Sequence, residues 1–130
     1  MATILVIDDD RDSLRFLRKV LEAEEFSVLT AHRGADGLKM SQEHDVDLVL
    51  LDLNMPGMDG HEVFQMMRLS EKSKHIPVIM LTAAYGSRDD AHRGLELGAS
   101  AYMVKPVMRT MLVHAIQRLL SPDAEQHQTA

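Results

Sequence analysis

The sequence predicts an α/β fold: a five-stranded parallel sheet, doubly wound, with helices on both faces. Short apolar runs rich in β-branched residues alternate with longer amphipathic segments, the pattern of successive βαβ units. Several of those runs are apolar throughout rather than at every second position, as strands covered on both faces are. With 130 residues, 45% hydrophobic and 26% charged, the chain fits one globular domain with a real core.

The first strand is placed at residues 3–7 and is followed by a helix whose stripe is Leu14, Leu17 and Leu21, with Phe16 and Val20 beside it. Strands follow at residues 27–30 and 48–51. Gly57 and Gly60 punctuate the next loop, and Asp59 with Glu62 three residues on reads as a capping box opening a helix. A fourth strand is expected at residues 78–81. Residues 88–98 carry the weakest helical stripe, interrupted by Gly94, and are expected to move most easily. A fifth strand at residues 101–104 leads to a last helix with Met108, Met111, Leu112, Ala115, Ile116 and Leu119 on one stripe. Ser121-Pro122-Asp123 ends that pattern, so a single domain is assigned to residues 1–121 and a frayed polar tail to residues 122–130. The first, third and fourth strands are the most apolar and are expected at the centre of the sheet.

Composition removes several classes of function. No cysteine is present, so disulfides, thiolate metal sites and cysteine nucleophiles are absent together. A net charge of −6, with no basic cluster carrying interleaved aromatics, argues against nucleic acid as a direct partner. No apolar stretch is long enough to span a bilayer. The residues after Met1 lack the basic start and cleavage site of a signal peptide, so a cytoplasmic setting is expected. Calcium loops starting at Asp8 or Asp52 fail, because Lys19 or Val63 falls where the last oxygen ligand is required. There is neither a Walker loop nor a dinucleotide glycine fingerprint. His32, His44, His61, His75, His92, His114 and His127 are scattered and read as surface or helix-flank residues, while Met66, Met67, Met103 and Met111 are expected to fill gaps in the core.

In a parallel sheet every strand ends on the same edge, and ligands bind outside that edge where the strand order reverses. The strand ends carry Asp8 and Asp9, Asp52, Thr82 and Lys105. Two carboxylates about 4 Å apart repel by up to about 4 kcal/mol at an effective dielectric of about 20. A divalent cation removes that repulsion, and Mg²⁺ suits a set of oxygen donors because it takes a few carboxylates and keeps its remaining waters. Lys105 supplies an ammonium for an acid or an incoming phosphoryl oxygen, and Thr82 a hydroxyl that donates to the same oxygen. Each residue alone has a plainer role as a cap, a turn residue or a surface charge. Their joint placement at four strand ends is what structural needs do not explain.

These motifs resemble the receiver domains of two-component signalling. The likeness runs from Thr3 to Leu120 and rests on Ile4-Leu5-Val6-Ile7-Asp8-Asp9-Asp10, Leu51-Asp52-Leu53-Asn54-Met55-Pro56-Gly57-Met58-Asp59-Gly60, Leu81-Thr82-Ala83, and Gly98-Ala99-Ser100-Ala101-Tyr102-Met103-Val104-Lys105-Pro106. It implies a flavodoxin-like strand order of 2-1-3-4-5 and a cis bond between Lys105 and Pro106. It also implies that Asp52 accepts a phosphoryl group from a phosphohistidine. Asp9, Asp52 and the backbone carbonyl of Asn54 would bind Mg²⁺, with Asp8 helping through water, and Lys105 and Thr82 would hold the phosphoryl oxygens. Thr82 and Tyr102 would form the switch, Thr82 moving inward and Tyr102 filling the space it leaves. The resemblance makes the chain a phosphoacceptor that assists its own phosphorylation and dephosphorylation rather than an enzyme. Its partners would be a sensor histidine kinase or histidine phosphotransfer protein and a downstream effector, with a homodimer through residues 88–98, the fifth strand and the last helix. Asn54, Ala83 and Ala84 stand where receivers vary and are expected to tune dephosphorylation. A receiver used only for docking is the alternative. A phosphatase-like hydrolase is less well matched, because Asn54 stands where such enzymes carry a second Asp.

Overall fold

Alternating strands and helices are realised in a computed structural model that describes residues 1–83 and 98–121. The described elements are β1 (Thr3–Ile7), α1 (Arg11–Ala23), β2 (Ser27–Ala31), α2 (Gly34–Glu43), β3 (Leu48–Asp52), α3 (Gly60–Leu69), β4 (Val78–Thr82), β5 (Ala101–Val104) and α4 (Arg109–Leu120). All strand pairings are parallel and the sheet order is β2-β1-β3-β4-β5. The three most apolar runs, β1, β3 and β4, are therefore the inner strands. The expected weak helix at residues 88–98 and the expected tail at residues 122–130 lie outside the described residues, apart from Gly98.

Because successive side chains alternate across a strand, each inner strand feeds two cores. Leu5, Ile7, Val49, Leu51, Val78 and Met80 face α2 and α3, where Val63, Phe64 and Met67 meet them. Ile4, Val6, Leu48, Leu50, Ile79 and Leu81 face α1 and α4, packing on Leu17, Leu21, Leu112 and Ile116. Among the described residues one pair of helices covers each face, which is the doubly wound arrangement. All five parallel strands then end on one edge, and that edge carries the acids.

Several boundaries and burials differ from the sequence reading. β3 and β4 each run one residue further than expected, because Asp52 pairs with Leu81 and Thr82 with Val104. Asp52 and Thr82 are thus the last ladder residues of their strands, and the sheet itself fixes their positions. The stripe of α4 is rotated from the expected one. Leu112, Val113 and Ile116 are buried, whereas Met108 and Met111 are exposed, Met108 because it is the N-cap outside the first helical turn. Met67 and Met103 do pack on the core, but Met66 is exposed on the outer side of α3. Phe16, beside the α1 stripe, is also exposed. His61 is buried rather than superficial, and its Nε2 has no hydrogen-bond partner among the described residues. It follows Gly60, where the start of α3 presses against the backbone after β3.

The cap predicted for α3 is present: the Asp59 carboxylate accepts from the Glu62 N–H at 3.0 Å. Asp59→Ala leaves that amide without its side-chain partner and is expected to cost about 1 kcal/mol of stability. A lower denaturant midpoint at unchanged slope would register it.

Candidate functional site

The end of β1 delivers Asp8 and Asp9, and α1 begins two residues later with Asp10 as its N-cap, accepting from the Asp12 N–H at 3.0 Å. Of the acidic run, Asp10 therefore has the structural role, while Asp8 and Asp9 are left to the site. Asp8 is fully buried. Its Oδ1 accepts from the Asp10 N–H at 3.0 Å, and its Oδ2 accepts from Ser13 Oγ at 2.8 Å and Lys105 Nζ at 2.7 Å. Ser13 was not picked out from the sequence. The available signal was a hydroxyl five residues after Asp8, where the first turn of α1 passes back over the strand end.

Asp52, only 3% exposed, places Oδ1 on the Asn54 N–H at 3.0 Å and Oδ2 3.5 Å from Lys105 Nζ. Lys105 is held there by the sheet, since its N–H donates to the Thr82 carbonyl at 2.7 Å. The peptide bond that follows, to Pro106, is cis. Carboxylate oxygens of Asp8, Asp9 and Asp52 all lie within 4.8 Å of one another, and Asp9 is the exposed member. Four of the expected residues, Asp8, Asp9, Asp52 and Lys105, are thus together in one pocket.

Thr82 is fully buried at the same edge, but its hydroxyl donates to Asn54 Oδ1 at 3.0 Å. The Ala83 N–H donates to the same oxygen at 3.0 Å. The sequence reading gave Asn54 a backbone carbonyl for the metal and a variable position expected to tune dephosphorylation; in the structure its side chain accepts from the end of β4. Tyr102, on β5, is half-buried and packs against the core shared with α2 and α3.

The electrostatics follow from crowding. Burial pushes the Asp52 carboxyl up, against the pull of the Asn54 N–H; the nearby Asp8 charge raises it further and Lys105 lowers it, leaving its pKa at about 7. Burial works against the Lys105 ammonium, yet its hydrogen bond to Asp8 and the charges of Asp52 and Asp8 outweigh that and raise its pKa. Among the described residues, three carboxylates face one ammonium, so negative charge outnumbers positive in this cluster. The donor set is all oxygen and opens to solvent at Asp9, which fits a small hard cation that keeps part of its water.

A family profile described as the response regulator receiver domain matches residues 4–117. The chain belongs to that family. Receiver domains are signalling domains, and response regulators work with histidine kinases and downstream effectors. Response regulator PleD of Caulobacter vibrioides is 41% identical over 118 residues, covering 91% of this chain and 26% of PleD. Transcriptional regulatory protein CpxR of Klebsiella pneumoniae is 42% identical over 131 residues, covering 99% of this chain and 54% of CpxR. The chain spans about a quarter of the first relative's length and about half of the second's. Among solved structures, a CheY-like receiver domain protein from Methanospirillum hungatei shares 29% identity at a TM-score of 0.86, covering 100% of this chain and 99% of that one. Among the described residues of the receiver, no helix is long and apolar enough to cross a membrane.

Proposed function

We propose that this receiver takes a phosphoryl group from a partner's phosphohistidine onto Asp52, with Mg²⁺ held by Asp9, Asp52 and the Asn54 backbone carbonyl and supported by Asp8. One observation carries this reading: a buried carboxylate lies 3.5 Å from an ammonium and within 4.8 Å of two further carboxylates, at the edge where all strands end. Asp52 Oδ1 is engaged by the Asn54 N–H, so Oδ2 is the nucleophile. Its lone pair forms the new O–P bond as the P–N bond to the donor imidazole breaks, and the imidazole leaves with that electron pair. Such transfers need positioning and charge stabilisation more than covalent work from the protein. Lys105 holds one non-bridging oxygen, and the Thr82 hydroxyl donates to another once it turns from Asn54. Bound Mg²⁺ would supply the remaining positive charge for those oxygens. Beside Lys105 a cleft of about 540 Å³, lined by Phe16, Leu17, Pro106 and Val107 with Asp12 and Ser13 at its polar side, leaves room for the donor.

The attached phosphate brings about −1.5 to −2 charge and favours the loop conformation that aims Thr82 at it, with Tyr102 following. A full reversal of a 1:99 equilibrium takes about 5.5 kcal/mol of differential stabilisation. Val104 on β5, Met108 at the N-cap of α4 and Met111 in its first turn are exposed apolar side chains, a surface for an effector or a second copy. Domain limits of 1–121 and a cytoplasmic setting belong to the same reading.

The test is incubation with a small acyl phosphate. Mg²⁺ should support an acid-stable, base-labile gain of one phosphoryl group, and a chelator should prevent it. No adduct under any donor would leave a docking module. Continuous phosphate release at enzyme-like turnover would point to a hydrolase.

A further inference from the structure

We propose that the Asn54 side chain is a positioning residue that withholds the Thr82 hydroxyl from Asp52 until a phosphoryl group is present, and so sets how readily the site takes one up. The inference rests on the phosphoryl-accepting reading and deepens it. Asn54 Oδ1 accepts two hydrogen bonds, from Thr82 Oγ1 and from the Ala83 N–H, each at 3.0 Å. A backbone N–H can only donate, so the amide atom facing it is the oxygen, and the orientation of the Asn54 side chain is chemically fixed. Thr82 has one hydroxyl proton. While that proton lies on Asn54, it is not available to any group on Asp52.

The arrangement has the sign of a switch. Thr82 is fully buried, so water does not replace a lost acceptor, and the hydroxyl leaves Asn54 only for another acceptor. Without a phosphoryl group, the amide oxygen keeps it. A phosphoryl oxygen carries charge, and charge-assisted hydrogen bonds are about twice as strong as neutral ones. With one present, the exchange is favourable. Asn54 is also tied to the acceptor itself, since its N–H donates to Asp52 Oδ1 at 3.0 Å. One residue thus reads the carboxylate through its backbone and restrains the β4 end through its side chain.

Loss of one neutral hydrogen bond shifts an equilibrium by about two- to tenfold, and that is the size of effect expected. The probe is beryllofluoride, a tetrahedral phosphoryl analogue, titrated calorimetrically at saturating Mg²⁺. Asn54→Ala should bind it about two- to tenfold more tightly than the unaltered chain. Asn54→Ser, too short to span the same gap, should do likewise and is read in parallel in case the alanine variant folds poorly. The gain should persist in a Thr82→Ser background, which keeps the hydroxyl, and vanish in Thr82→Ala. Unchanged or weaker binding by the Asn54 variants, or a gain that survives Thr82→Ala, overturns the proposal while leaving the phosphoacceptor reading intact. Absence of binding by the unaltered chain sinks both.

Discussion

Asp52→Asn should abolish the phosphoryl adduct completely and, in the metal-free protein near neutral pH, raise folding stability. The first effect follows from chemistry: an amide offers no anionic oxygen to attack phosphorus, and Asp8 cannot substitute because both its oxygens are hydrogen-bonded, Oδ1 by the Asp10 N–H and Oδ2 by Ser13 and Lys105. The second follows from the raised pKa. A carboxyl whose pKa rises from 3.8 to about 7 on folding binds its proton more tightly when native, so this group's contribution is fully present below about pH 4. It is lost as pH climbs towards 7. At about 1.4 kcal/mol per pH unit, the loss has a ceiling of about 4 kcal/mol. The Lys105 shift is also upward, but its stabilisation is lost only above the ordinary lysine range, so it does not offset the loss in this window. The Asp52→Asn change, which leaves no ionisable group at this position, would remove the pH-dependent cost. In the unaltered chain, added Mg²⁺ should raise the melting temperature far more at pH 8 than at pH 5, where the metal competes with a proton. Thermal scans of both proteins across pH 4–8 check each part. A variant no more stable than its parent at pH 7.5 would mean that Asp52 is not held in a strained charge state.

What the sequence revealed, and what it concealed, divides along physical lines. The inner strands were legible because burial on both faces leaves no polar position in Leu48–Asp52 before the acid itself, and burial is a strong, local constraint. Asp8, Asp9, Asp52 and Lys105 were legible as a group because parallel strands share an edge, whatever the details of the loops. The hydrogen bond from Thr82 to Asn54 was not legible: it depends on how the residues after β3 cross the end of β4, a relation between segments 28 residues apart that no periodicity encodes. Ser13 was hidden for a related reason, since whether a hydroxyl in a first helical turn reaches back to Asp8 depends on the angle at which α1 leaves the strand. The burial of His61 and exposure of Met111 were misread because one helical position is a 100° rotation, and the stripe of a ten- or twelve-residue helix is fixed only to about that margin.

Gly60→Ala should be among the most damaging single-methyl changes to this fold, and its cost should extend to the site. A Cβ at Gly60 would stand 2.7 Å from both the Asp52 carbonyl oxygen and the Leu53 Cα, and 2.8 Å from Leu53 Cδ2. Two of those three atoms are backbone, so no rotamer change relieves the overlap. Either α3 withdraws from the sheet or the backbone after β3 shifts. The first opens the core around Val63, Phe64 and Met67; the second moves the peptide linking Asp52 to Asn54. Overpacking typically costs about 1–3 kcal/mol, and obstruction by backbone places this case near the top of that range, about 3 kcal/mol of a total of about 5–15. Gly57→Ala is the informative control. Nothing lies within 4 Å of its added methyl, but its φ of 78° is unfavourable for a side chain, so its expected cost is about 1 kcal/mol. Denaturant unfolding gives both numbers, and Mg²⁺ titration separates them, because only the Gly60 change displaces the segment that carries the Asn54 carbonyl. Equal costs for the two variants would show that the start of α3 yields easily. The close seat of that helix against the backbone after β3 would then not be what holds the acceptor loop in place.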